Sequence, residues 1–94
     1  MQYLQLNQFQ ELYLNGEFSE VVVSVNYTSA LTLYNIAFIY SRDTHRDYKD
    51  VGYLISQKNL VRDFKSLDSC LRLLHFVDSF IVEDELYFRA RSGQ

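Results

Sequence analysis

The chain has 94 residues, of which 48% are apolar and 22% charged, and this suits a single globular domain over residues 1–94. Twelve acidic against nine basic residues give a formal charge of −3, which argues against broad binding of nucleic-acid phosphates. The single cysteine excludes an internal disulfide. No apolar run approaches the roughly 18 residues of a membrane span, and residues 1–14 do not resemble a secretory leader. We therefore expect a cytoplasmic protein.

A short helix is predicted near the N-terminus. Asn7 is a suitable N-cap, and Gln10 follows it three residues later, as in a capping box. The Asn15-Gly16 pair then provides a left-handed helix stop. These signals predict a helix over residues 8–14.

Four strands are predicted next. Residues 20–27 are rich in valine and partly alternate, and residues 30–41 are apolar on both faces, which is typical of a central strand. The polar stretch 42–50 predicts a solvated loop. Residues 52–57 and 60–64 then predict two short strands.

The clearest folding signal lies around residues 66–77. Ser66 can cap a helix, and Asp68 places a negative charge in the first turn. Apolar residues follow at helical spacing and predict a helix over residues 67–77 that is buried on one face. These apolar residues are Leu67, Cys70, Leu71, Leu73 and Leu74.

The last predicted element is a strand over residues 80–89, which alternates around an acidic centre. The complete order is then α-β-β-β-β-α-β. Because short turns join most of the strands, we predict an α+β fold with an antiparallel sheet of four to five strands, covered on one face by two helices.

Residues that carry chemistry are sparse. His45 lies close to Asp43 and Asp47. A metal site needs three or four convergent ligands, and this segment offers only one imidazole, so we expect a surface histidine in a loop. Cys70 and His75 lie roughly 140° apart around a helix, so they do not form a thiolate–imidazole pair. The chain has no Gly-rich phosphate loop, no nucleophile elbow and no HExxH helix. We therefore predict a protein that is not an enzyme and that has no cofactor or metal.

Candidate interaction residues come from two patterns. Eight tyrosines without a tryptophan are typical of a binding face, although a core rich in strands explains them as well. The acidic run 83–85 can imitate a strip of phosphates, or it can protect an edge strand against aggregation. The candidates are Tyr34, Tyr40, Tyr48, Glu83, Asp84, Glu85 and Tyr87.

A series of segments resembles a known family. The series contains Leu6-Asn7-x-Phe9-x-x-Leu12-Tyr13-x-x-Gly16, the valine-rich strand 21–25, and Arg62-x-Phe64-x-Ser66-Leu67-Asp68 before a leucine-rich helix. Over about residues 4–83 it is similar to the small ParC-type partition-associated proteins of bacterial plasmids, which are unrelated to the topoisomerase subunit of that name. The resemblance implies an accessory protein of plasmid partition or maintenance that acts by contact with a protein such as a partition protein.

Two other functions stay open. Tyr34-Asn35-Ile36-Ala37-Phe38 followed by Arg62-Asp63-Phe64 is similar in kind to small anti-CRISPR proteins, which implies an inhibitor that binds a host Cas complex through an acidic and aromatic face. A DNA-binding accessory factor would use Arg62, Lys65 and Arg72, but the net charge disfavours direct nucleic-acid binding. A homodimer is also open, because edge strands at 60–64 or 80–89 can pair with a second copy.

Overall fold

The computed structural model describes residues 2–41, 51–81 and 87–92. These residues form one continuous sheet of five strands, in the order β1-β4-β3-β2-β5, together with two helices. The α+β class, the single domain and the two helices expected from the sequence are confirmed. In chain order the elements are β1 (Gln2–Leu4), α1 (Leu6–Leu14), β2 (Phe18–Tyr27), β3 (Thr32–Tyr40), β4 (Val51–Leu54), α2 (Leu67–Val77) and β5 (Tyr87–Ser92).

The sheet is mixed, whereas the sequence pattern predicted an antiparallel one. Strand β3 is antiparallel to both of its neighbours, β2 and β4. The two outer pairs, β1 with β4 and β2 with β5, are parallel. The two strands of each outer pair are far apart in sequence, and the chain between them includes a helix. No tight turn marks such a pairing in the sequence, as one does for an antiparallel hairpin.

The positions of the two helices follow from these crossovers. The connection from β1 to β2 contains α1, and the connection from β4 to β5 contains α2. Both connections move three positions across the sheet in the same direction. Parallel crossovers are almost always right-handed, and two that run the same way place their helices on the same face. Phe9 of α1 and Leu74 of α2 belong to one buried cluster with Phe38 of β3, which confirms the expectation that the helices cover one face.

The centre of the core is a group of aromatic rings between this helical layer and the sheet. Phe38 of β3 lies 5.9 Å from Phe9 of α1 and 4.8 Å from Phe18 of β2, measured between ring centroids. Tyr40 joins the same group, at 5.6 Å from Phe38. Aromatic pairs at these separations contribute about 0.5–1.5 kcal/mol each beyond the burial of their surface.

A glycine makes room for this group. Gly52 of β4 lies directly opposite Phe38 in the antiparallel register. A Cβ atom built on Gly52 would overlap Cε2 and Cζ of the Phe38 ring, so the ring occupies the volume that any other side chain would need. This contact sets the position of β4 beside β3, because neither neighbouring residue of β4 leaves that space.

Helix α1 starts earlier than predicted. It begins at Leu6, so Asn7 lies inside the helix instead of capping it. The Gln5 N–H donates to Oε1 of Gln8 (3.1 Å), which is half of a capping box shifted by two residues along the chain. The predicted stop is confirmed, since Gly16 has a φ of 72° and its N–H donates to the Tyr13 carbonyl (3.0 Å).

Helix α2 agrees with its prediction at both ends. The Ser69 N–H donates to Oγ of Ser66 (3.1 Å), which confirms Ser66 as the N-cap. Asp68 in the first turn forms an exposed ion pair with Arg72, at 3.0 Å. The helix buries Cys70, Leu74 and Val77 against the core.

Two predicted strands are corrected. Residues 60–64 make only isolated bridges, from Val61 to Ile55 and from Phe64 to Tyr34, because this segment leaves the end of β4 and crosses toward α2. The described part of the last strand is Tyr87–Ser92, while Phe80 and Ile81 belong to a turn. The predicted loop 42–50 lies outside the described residues.

In the described part of the chain, neither helix has the length and apolar character needed to cross a membrane.

The stability effects of substitutions at Gly52 and Gly16 can be compared directly. We expect Gly52→Ala to lower the free energy of unfolding by about 2–3 kcal/mol, because the new methyl group displaces the Phe38 ring. Gly16→Ala should cost only about 1 kcal/mol, because nothing lies near its Cβ position and only the left-handed backbone is penalised. Urea unfolding of both variants measures the difference.

Urea unfolding also tests whether overlap with the Phe38 ring causes the loss of stability in Gly52→Ala. Phe38→Leu should cost less in the Gly52→Ala background than in the wild type, since the smaller side chain relieves the overlap. Equal losses for the two glycine variants would contradict this account of β4.

Cys70 provides a probe of core opening. Burial raises the pKa of its thiol to about 12, so the thiol stays protonated at pH 8. We expect iodoacetamide to modify the native protein about a hundredfold more slowly than the urea-unfolded chain. Arg72→Cys in a Cys70→Ala background places a thiol at an exposed position of the same helix and is the fast control. Similar rates for Cys70 and this control would show that α2 is not packed as described.

Candidate protein-interaction surface

The structure separates the candidate residues proposed from the sequence. Tyr34 is half-buried and its backbone pairs with Phe64. Tyr40, six residues further along β3, is only 1% exposed, so its ring belongs to the core and not to a binding face. The two residues lie about 20 Å apart along the strand.

The other candidates give less information. The backbone of Tyr87 pairs with Val22 at the start of β5. Tyr48 and the acidic residues Glu83, Asp84 and Glu85 lie outside the described residues.

A different set of apolar side chains is exposed at the C-terminal end of α2. Phe80 is 88% exposed and Phe76 is 67% exposed, the highest values among the large apolar residues that the structure describes. Leu14, at the C-terminal end of α1, is also exposed. We call Leu14, Phe76 and Phe80 the α2-end surface.

The chain after α2 holds Phe80 outward. Oδ1 of Asp78 accepts the Phe80 N–H at 3.0 Å, and the Asp78 carbonyl accepts the Ile81 N–H at 3.1 Å. This combination is an Asx turn inside a tight reverse turn. Val77 before the turn is buried and Ile81 after it packs on the core, so Phe80 lies at the tip.

A hydrogen bond connects the two helices beneath this surface. The Tyr13 hydroxyl of α1 donates to Oδ2 of Asp78 at 2.8 Å. The same carboxylate therefore fixes the turn through one oxygen and α1 through the other. Because Leu14 follows Tyr13, this bond brings Leu14 to the same end of the helical layer as Phe76 and Phe80.

The electrostatics of the pair agree with this geometry. Burial raises the pKa of Tyr13 to about 12, and the hydrogen bond to Asp78 and the charge of that carboxylate act in the same direction. The Tyr13 phenol therefore stays protonated and donates this hydrogen bond throughout the physiological pH range.

The arrangement offers apolar contact surface at the ends of both helices. Within residues 2–41, 51–81 and 87–92, no group of three or more His, Cys, Asp or Glu side chains is placed to hold a metal ion. Beneath the α2-end surface, Tyr13 and Asp78 bond to each other. Leu14, Phe76 and Phe80 leave apolar area exposed at this end of the helical layer.

Comparison with known proteins adds no relative. No family model, no curated protein and no solved structure matches this chain.

Sequence reasoning missed both phenylalanines. Phe76 lies one position from the buried stripe of α2, and the alternating pattern places Phe80 at the start of a predicted strand. The Asp78-Ser79 pair directly after the helix was the available signal, because Asp before a small polar residue favours an Asx turn.

Tyr13→Phe tests the bond between the helices. We expect it to lower the free energy of unfolding by about 1 kcal/mol at pH 7, because the Asp78 carboxylate loses a partly buried donor. A tyrosine whose folded pKa is raised stabilises the protein fully below its unfolded pKa of about 10. That contribution disappears as pH rises toward 12, so the difference between wild type and variant should shrink over this interval.

Urea unfolding at pH 7, 10 and 11 measures this trend, with Tyr27→Phe as the exposed control. A Tyr13→Phe variant as stable as wild type at pH 7 would show that the bond does not hold the two helices together.

Proposed function

We propose that this protein is a non-catalytic, cytoplasmic interaction protein of a mobile genetic element, an accessory of plasmid partition or maintenance that binds a protein partner through the α2-end surface. The exposure of Phe76 and Phe80 at one end of α2 is the observation that carries the binding part of the proposal. The resemblance in sequence to ParC-type proteins supports the biological context.

The energetics favour a partner at this position. Covering an exposed phenylalanine side chain contributes about 1.5–3 kcal/mol. Aromatic residues at the centre of an interface commonly dominate its affinity. The turn that presents Phe80 is already held by Asp78, so little conformational entropy is lost on binding.

The charge of the chain is consistent with a protein partner. A net charge of −3 disfavours a DNA backbone and leaves association to apolar and specific polar contacts. Of the cations that a DNA-binding function would use, Arg72 is engaged by Asp68 in an ion pair.

Affinity capture from the native host at physiological salt tests this proposal. The tagged wild type is compared with Phe76→Ser/Phe80→Ser, and we expect the variant to recover the main partner about tenfold less, because two rings leave the interface. Leu31→Ser/Leu60→Ser removes two exposed apolar side chains from turns elsewhere and is the matched control.

The partner identified by mass spectrometry decides the context. Partition or plasmid-maintenance proteins, lost with the phenylalanine variant and retained with the leucine control, are the expected result. Cas subunits would instead favour the inhibitor function. A partner lost equally with both variants, or no specific partner at all, would contradict binding through the α2-end surface.

A further inference from the structure

A second feature lies at the other end of α1. The carboxyl ends of the parallel neighbours β1 and β4 open into a groove of about 730 Å³. The start of α1, which follows β1, and the turn that follows β4 line the groove from its two sides. The volume falls within the usual range of small-molecule pockets, about 300–1,000 Å³.

Most of the area that lines the groove is apolar, with Leu6 and Ile55 among the lining residues, and the charged groups among the described lining residues are two cations. Lys58 and Arg62 both line it, and none of the described lining residues carries a carboxylate. The acid next to Arg62 in sequence, Asp63, accepts a hydrogen bond from Nδ2 of Asn35 at 2.7 Å and does not line the groove. The other polar lining residues are Gln5, Asn7, Ser56 and Gln57.

The turn that carries Lys58 is well ordered by hydrogen bonds. The Ser56 N–H donates to the Leu60 carbonyl (2.8 Å), and the Asn59 N–H donates to the Ser56 carbonyl (2.9 Å). Asn59 takes a left-handed conformation, with φ of 63°, which tightens the turn. Nε2 of Gln5 donates to Oδ1 of Asn59 at 3.3 Å and so joins the start of α1 to the turn across the rim of the groove.

Arg62 is also held in place. Its backbone N–H donates to the Leu54 carbonyl at 3.0 Å, at the end of β4. Its guanidinium lies over the Phe64 ring, 5.4 Å from the centroid. A stacked guanidinium keeps its N–H donors at the edge of the group, where they can reach an anion. Both cations are thus attached to backbone that is fixed before any ligand arrives.

We propose that this groove binds a small phosphorylated molecule through Lys58 and Arg62. Among the described lining residues these two cations meet no carboxylate, which favours a ligand with at least two negative charges, and a diphosphate or phosphate ester supplies them together with several acceptor oxygens. Asn7 and Gln57 provide amide groups for the remainder of the molecule, while the Gln5 amide is bonded to Asn59 at the rim. This site is separate from the α2-end surface and does not depend on the function proposed for it.

Isothermal titration with sodium diphosphate, inorganic phosphate and citrate at constant ionic strength tests the inference. We expect saturable binding of diphosphate, tighter than that of inorganic phosphate or citrate. Lys58→Gln/Arg62→Gln should raise the dissociation constant for diphosphate about tenfold or more. Lys65→Gln/Arg72→Gln removes the same charge at exposed positions outside the groove and should change it less than about twofold.

Three results would overturn the inference. These are the absence of saturable diphosphate binding to the wild type, equal losses in the two double variants, and citrate binding as tight as diphosphate. Urea unfolding confirms that each variant is folded. If Arg62→Gln disturbs the packing on Phe64, Lys58→Gln alone still tests the site, because Lys58 lies in an exposed turn.

Discussion

The packing of Phe38 on the backbone of Gly52 is the contact on which the rest of this fold depends. Phe38 lies in the central strand, and its ring also meets Phe9 of α1 and Phe18 of β2. One side chain therefore connects three strands and a helix. A slip of β4 by one residue would place Val51 or Tyr53 opposite Phe38, where only glycine leaves space for the ring.

The position of β4 determines where β1 pairs and where the groove lies. Strand β1 pairs in parallel with β4, so the groove opens where both strands end, and α1 starts there. Helix α1 then runs nine residues, or roughly 13 Å, to the Tyr13–Asp78 hydrogen bond. The groove and the α2-end surface thus lie at opposite ends of one short helix. They use different residues, so a phosphorylated ligand in the groove and a protein at the α2-end surface would not compete for the same contacts.

Sequence patterns predicted the elements that local chemistry specifies. Ser66 and the apolar spacing after it defined α2, and Gly16 marked the end of α1, because capping and left-handed stops depend on neighbouring residues alone. The candidate site was predicted less well. The sequence does not distinguish Tyr40 from a tyrosine on a binding face. Its ring nevertheless lies in the core, because burial depends on which strands and helices meet around it. The two exposed phenylalanines could not be separated from core residues by the apolar pattern.

The sequence by itself determined the α+β class, both helices, the two long strands and the acidic, single-domain character of the chain. The tertiary structure alone decided that β1 exists, that the outer strand pairs are parallel and that both helices share a face. It also decided that Lys58 and Arg62 line one groove and that Asp78 joins two helices. The reason is physical: periodicity and capping report interactions within about one turn of chain, whereas Gln2 pairs with Gly52 and Tyr13 bonds Asp78 across distances in sequence that no local pattern encodes.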